Sequence, residues 1–352
     1  MSDQTTGSAK KFKDIEQAGT MIPLQEFLKS AERTSHLSRE HRLRIVEQAL
    51  LLLEMNYVHL PLKQAMHAIN PIQLLKLLKS RLEARSSKLE PVMQFHNRLL
   101  NIFASLRDVH TAYYLPAPFT WKMAFLPFLV EQCFEGPDRT EKYLISHVMR
   151  DKLSKTLPAG STAALFEEGV EALYWNGVAL RRVIELNGEN QAGSNPEARL
   201  ARGLDNLTVR PLDAMLPPDE KWVDLTYRSK AGEVLAVRFQ WWVYDSDDDT
   251  PAAESEKKRS AIDIKKNKTN QFKKKFFAQP RPVKVRAFKE NFYAETRSVG
   301  GREYGYIRLF SFQLTDHPKV VDQFVNEVRR IITDADFPQE GLILDVRGNP
   351  GG

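Results

Sequence analysis

Three places in this 352-residue chain bring together side chains that could do chemistry. Asp108-Val109-His110-Thr111 sets a carboxylate two residues from an imidazole, which invites an acid–base reading. Asn349-Pro350-Gly351-Gly352 ends in adjacent glycines; no side chain shields their N–H groups, which can approach an anion or a developing oxyanion. Ser311 stands just past the run Tyr304–Phe310, at the carboxyl end of an expected strand. A serine nucleophile needs an adjacent base, however, and none is identifiable in the sequence. Each place also has a plainer reading. Asp108 and His110 can close a helix and orient the turn that follows, and Asn349–Gly352 can simply reverse the chain.

The elements that must hold these residues follow from spacing. Tyr304-Gly305-Tyr306-Ile307-Arg308-Leu309-Phe310 has β-branched and aromatic residues at strand length, and Leu342 to Val346 is almost continuously apolar, which predicts a strand buried on both faces. Between them Val321, Phe324, Val328 and Ile331 fall on one helix face. Pro318 suits the first helical turn, and Arg329 and Arg330 the last, where cations favour the helix dipole. Strand, helix and strand predict a βαβ unit with parallel strands. In the turn after it, Pro350 presets φ at the second position of a type II turn and Gly351 accepts φ > 0 at the third. Ligands of open α/β sheets bind outside the carboxyl ends of the strands, where this turn lies.

Upstream, residues 1–20 are polar and predict a disordered N-terminus. A helical domain is expected over 21–157. Ser38 caps a helix with Leu43, Val46, Leu50, Leu53 and Tyr57 in register; Asn70-Pro71 opens a second; Pro91 opens a third, which runs into Asp108. Tyr113 and Tyr114 read as the start of a strand, Trp121–Val130 as an edge strand and Glu141–Leu153 as a further helix. A β-rich domain is expected over 158–244. In it Val183–Gly188 reads as a strand ending in an Asn-Gly turn and Pro196–Leu204 as a short helix; Trp222–Tyr227 and Val234–Tyr244 read as strands about a turn at Ala231-Gly232. A charged, flexible insertion follows at 245–282, and 283–352 begin an α/β core.

Composition excludes several classes. No apolar run approaches the roughly 18 residues that span a bilayer, and the first twenty residues lack the apolar core of a secretory signal. The single cysteine, Cys133, cannot form an internal disulfide or a Cys-rich zinc site, and the eight histidines include no His-Glu-x-x-His. Phosphate-loop, dinucleotide and Gly-x-Ser-x-Gly motifs are missing too, so no cofactor is expected. The formal charge of +6 is local: Glu254 to Arg286 holds 12 Lys or Arg against 3 acids. Phe272, Phe276 and Phe277 lie among those lysines, as in some single-strand nucleic-acid binders, but a solvated insertion is the expected state.

The strand Gly305-Tyr306-Ile307-Arg308 and the later run Leu342-Ile343-Leu344-Asp345-Val346-Arg347-Gly348-Asn349-Pro350-Gly351-Gly352 resemble the core of the carboxyl-terminal processing (tail-specific) serine proteases. Leu106-Arg107-Asp108-Val109-His110-Thr111-Ala112-Tyr113 is similar to that family's upstream signature. The resemblance implies an α+β multidomain chain: a helical N-terminal domain, a PDZ-like β-rich domain, and the first βαβ unit of a crotonase-like core. It implies that Gly351 or Gly352 supplies an oxyanion N–H and that Asp345, Arg347, Asn349 and Pro350 form the turn. Asp108, His110 and Thr111 are then structural. The family's nucleophilic Ser and its Lys base would lie beyond Gly352, which makes this the amino-terminal part of a longer enzyme, inactive alone. The implied partner is a polypeptide, including its C-terminal tail, rather than nucleic acid. A non-catalytic peptide-binding scaffold is the alternative. Substrate identity, oligomeric state and compartment stay open; a cell-envelope or secreted setting would require a different start site.

Overall fold

The computed structural model describes residues 20–84, 88–149, 164–245, 269–270, 272–273, 285–289, 291–312, 314, 319–349 and 351. The chain forms two compact units, residues 1–249 and 250–352.

The first unit opens with strand β1 (Thr20–Pro23) and five helices: α1 (Leu24–Thr34), α2 (Arg39–Leu51), α3 (Leu60–His67), α4 (Pro71–Glu83) and α5 (Val92–Ser105). The expected caps form. The Ser38 hydroxyl accepts from His41 N at 3.2 Å, and Asn70 Oδ1 accepts from Gln73 N at 3.0 Å with Pro71 in the first turn. Both fill donors that a helix start leaves unpaired. One cap has no local sequence signal: the Glu32 carboxylate, from α1, accepts from Val92 N and Met93 N at the start of α5. Val46, Leu50, Leu53, Leu75, Leu78, Leu82, Phe95 and Leu99 make the helical core.

Beyond α5 lie β2 (Met123–Phe125), β3 (Phe128–Glu135), β4 (Thr140–Val148), β5 (Glu171–Trp175), β6 (Val178–Ala179), α6 (Leu180–Glu189), α7 (Pro196–Asp205), β7 (Val209–Pro211), β8 (Trp222–Arg228), β9 (Val234–Gln240) and β10 (Trp242–Asp245). One sheet has the order β1-β10-β2-β7; the other runs β3-β4-β5-β8-β9, with β6 paired to β5. Their shared core is aromatic, with Phe128, Phe166, Tyr227, Phe239 and Trp241 fully buried.

Several expected elements differ here. The helix read at Glu141–Leu153 is β4 over its part up to Val148, a hairpin partner of β3 that buries Tyr143 and Ile145 on alternate positions, and residues 150–153 lie outside the described residues. The strand read at Val183–Gly188 is α6. Leu180, Ile184, Asn187 and Gly188 recur at helical spacing on its buried side, and Gly188 and Gly203 let α6 and α7 cross at backbone distance. The Asn-Gly pair thus serves a helix crossing rather than a hairpin. Tyr113–Leu115 is not a strand. Trp121–Val130 splits at Pro127 into β2, inside one sheet, and β3, at the edge of the other. Val234–Tyr244 divides at the buried Trp241 into strands of different sheets.

The second unit holds β11 (Phe292–Val299), β12 (Arg302–Leu309), α8 (Val320–Ile332) and β13 (Leu342–Asp345). The order is β11-β12-β13, antiparallel then parallel, so the expected βαβ unit is present. Phe324 and Val328 of α8 pack on Phe292, Ile307 and Leu309. Gly305 is needed there, since a Cβ would fall 2.3 Å from the Phe337 ring. Strand β13 is not buried on both faces: as an edge strand it leaves Leu342 and Leu344 more than half exposed, and only Asp345 is buried.

The first nineteen residues, Pro318 and most of the insertion at 245–282 lie outside the described residues. Of that insertion the described residues include Asp245, which pairs with Thr20 in the sheet, and Thr269 and Phe272, which are buried.

Candidate active site

Asp345, at the end of β13, is 5% exposed. Its Oδ1 accepts from the Arg347 backbone N–H and Nε, both at 2.9 Å. Its Oδ2 accepts from Arg347 Nη2 at 2.7 Å and the Tyr306 hydroxyl at 2.6 Å. A carboxylate offers about four lone-pair sites, and all are filled. The bidentate Arg347 guanidinium holds the Asp345 carboxyl well below the usual range, against burial and with help from Tyr306. Burial, then the bond to Asp345, pushes the Tyr306 phenol up to about 12. A carboxylate so stabilised is a brace at neutral pH, not a proton shuttle.

The turn is fastened to the end of β12. Gly348 and Gly351 have φ of 71° and 92°, the latter in the region a type II turn requires at its third residue. Asn349 Nδ2 donates to Leu309 O at 3.3 Å, while Asn349 Oδ1 accepts from Gly351 N at 2.8 Å, an Asx turn. Gly351 O accepts from Phe312 N and from Ser311 Oγ, and Asn270 Nδ2 donates to Gly348 O at 3.4 Å. The Gly351 N–H is therefore engaged within the turn. Pro350 and Gly352 lie outside the described residues. Ser311 does come to the turn, but its hydroxyl points its proton at a backbone carbonyl, which does not activate it.

Asp108 and His110 sit elsewhere, after α5 in the first unit. Asp108 accepts from His110 N at 2.9 Å and from the Tyr57 hydroxyl at 2.8 Å, with His110 Nδ1 3.4 Å from its Oδ1. Burial raises the Asp108 carboxyl most, yet the His110 N–H and Tyr57 hydroxyl together leave it lowered. Thr111 is half-buried in the turn that follows. The cluster ties α5 to the segment after α2.

Two further features bear on function. Strand β3 is an edge of its sheet, and α7 packs against it. Cys133 on β3 is half-buried, and burial with Glu131 pushes its thiol up, which keeps it a poor nucleophile. Among the described residues no three or more His, Cys, Asp or Glu gather to hold a metal, and no helix is long and apolar enough to cross a membrane.

The β-rich part of the first unit is of a known class: residues 122–249 match the PDZ domain. Over 89% of its length the chain is similar in fold to structures of CPAF. Mature CPAF superposes with a TM-score of 0.55 at 18% identity, covering 89% of this chain and 56% of that one. Mature CPAF complexed with lactacystin gives 0.54 at 17% identity, and a serine-to-alanine CPAF mutant 0.56 at 17%; both comparisons cover 89% of this chain and 57% of the other. This chain thus spans somewhat more than half the length of the structures it matches. No curated protein matches its sequence.

The turn's bracing was partly hidden from sequence reasoning. Tyr306 was legible as part of a strand but not as the fourth donor to Asp345. Asn349 at the first position of a Pro-Gly turn is the one local signal that would have given the Asx bond.

Proposed function

We propose that this chain is the amino-terminal part of a serine-type peptidase of the carboxyl-terminal processing kind, acting on polypeptides. One observation supports this best. A parallel βαβ unit ends in a glycine turn that is clamped to the neighbouring strand by Asn349 and stiffened by the saturated Asp345. Fixed placement of N–H groups near developing charge is usually the largest contribution to acyl transfer, and here the clamp fixes the turn while Asn349 still holds the Gly351 donor. The PDZ match and the likeness in fold to CPAF support this reading.

In the proposed reaction a Ser hydroxyl attacks the scissile carbonyl carbon, and its proton passes to a Lys amine kept neutral by burial. Both residues belong to sequence following Gly352 and complete a crotonase-like core. The turn's share is to receive the tetrahedral oxyanion. The Gly351 N–H reaches it only by leaving Asn349 Oδ1, so Asn349 occupies the donor until substrate arrives. The polypeptide would add as a strand along the open edge of β3 beside α7, in the manner of PDZ recognition. Asp108, His110 and Thr111 support the scaffold and take no part in bond breaking.

The engaged Gly351 N–H is also what a non-catalytic, peptide-binding scaffold would show, so the two readings part on turnover. The protein carrying this chain and its downstream sequence is expected to hydrolyse an unstructured polypeptide and to be blocked by a Ser-directed reagent. Binding of such polypeptides with no cleavage would leave the scaffold as the function.

A further inference from the structure

Arg308 makes no hydrogen bond to the clamp beside it and acts on Asp345 through charge alone. In the parallel register it lies opposite Asp345, with its Nε 3.9 Å from Oδ2, beyond hydrogen-bond reach. It cannot move in, because Arg347 and Tyr306 already fill the four acceptor sites of Asp345. The Nε is buried and has no hydrogen-bond partner among the described residues. The guanidinium carbon lies 5.7 Å from the Phe310 ring centre, and Phe310 in turn packs on Tyr293 at 5.5 Å, so aromatic rings back the charge. The other charged pair nearby, Glu295 with Arg297, neutralises itself at 2.6 Å. Asp345, Arg347 and Arg308 together therefore carry one surplus positive charge at the carboxyl end of the sheet. The turn is close by, since Asn349 bonds to the carbonyl of Leu309, the next residue.

The buried Nε faces Asp345, but the guanidinium is half-exposed and makes no hydrogen bond to the clamp, which leaves its outer face a ready fork for a planar anion of matching geometry. We infer that Arg308 receives a carboxylate of the bound polypeptide, and so sets a preference for an acidic residue, or the chain's own C-terminus, near the turn. This rests on the proposal that the turn serves a polypeptide site. It assigns to that site the specificity that Asp345, being neutralised, cannot supply.

The test is peptide binding to the full chain, read by fluorescence anisotropy. Two labelled unstructured peptides, both amidated at the C-terminus so that tail capture by the PDZ part is silent, differ only by Glu or Gln at one internal position. A third carries the Gln and a free C-terminus. Wild type is expected to bind at least one carboxylate peptide about tenfold more tightly than the neutral one, in line with a charged hydrogen bond. Arg308→Gln should erase that preference while leaving the neutral peptide's affinity unchanged, and Arg308→Lys should keep part of it. The Glu and free-tail peptides show which carboxylate is read. A folded Arg308→Gln that loses none of the Glu preference and none of the free-tail preference, or a wild type that shows neither, overturns the inference; the part of a free-tail preference that outlasts the substitution is capture by the PDZ part. Hydrolysis by the longer protein is a separate readout: a carboxylate preference without cleavage sinks only the peptidase proposal, and cleavage without preference sinks only the role of Arg308.

Discussion

Replacing Asp345 by Ala should loosen the second unit by an amount that its hydrogen bonds allow to be estimated. Four bonds are lost. Two go to the Arg347 guanidinium, whose side chain is 80% exposed and can turn to water, so they count for little, and a third goes to the Arg347 backbone N–H. The Tyr306 hydroxyl is different, because its residue is 3% exposed and it would lose its acceptor. A stranded buried donor costs about 1–3 kcal/mol, and the unaccepted Arg347 N–H and the space left by the carboxylate bring the expected total to about 2–4 kcal/mol. All five tryptophans lie in the first unit, so their emission does not report on this change. Hydrogen exchange of amides 303–309 does, and protection should fall about 30- to 1000-fold. Adding Tyr306→Phe removes the stranded hydroxyl and should restore part of the loss. Acid gives an independent check. A carboxyl lowered by folding stabilises above its unfolded value, and that stability is lost as the pH falls below about 4. Wild type should lose more stability on acidification than Asp345→Ala, in which the lowered Glu327 carboxyl still contributes. A change in protection under threefold, or an identical acid profile in both proteins, would refute the bracing role.

Other outcomes follow from the first unit, read by tryptophan emission. Gly203→Ala would normally favour a helix, but here a Cβ would sit 2.4 Å from Ile184 O, so a loss of about 1–3 kcal/mol is expected; a raised melting temperature would show that α6 and α7 do not cross as closely. His96 is 2% exposed with Nδ1 2.8 Å from the Tyr113 hydroxyl, and burial pushes its imidazole down to about 4. Its unfolded form takes a proton below about 6.5, so stability should fall between pH 6.5 and 4 by up to about 3 kcal/mol, a slope that His96→Gln should flatten. Asp108→Ala leaves the Tyr57 hydroxyl and His110 N–H without their acceptor and should cost about 1–2 kcal/mol. Turnover of the longer enzyme, measured well below melting, should stay near wild type; a loss of several orders of magnitude at unchanged stability would make Asp108 catalytic.

What could be read from sequence was what local chemistry determines. Ser38, Asn70 and Pro71 marked helix starts because caps satisfy donors within one turn, and the βαβ unit was visible because its two periods differ sharply. The Asn187-Gly188 pair misled, since its hairpin signal is local while its use, a helix crossing at Gly203, is made sixteen residues away. Glu141–Leu153 failed likewise, because hairpin pairing with β3 overrode an ambiguous pattern. At the site, Asp345 and Arg347 stood out through the resemblance. The spare charge of Arg308 did not: it depends on counting how many donors Asp345 already accepts, and Tyr306 reaches that carboxylate from another strand.

The most direct measurement is to label the protein carrying this chain and its downstream sequence with a fluorophosphonate, and to map the modified residue by mass spectrometry. The account predicts one labelled serine, outside residues 1–352, protected by excess polypeptide. Label on a serine within residues 1–352, Ser311 above all, or no label on a protein shown to be folded, would contradict it.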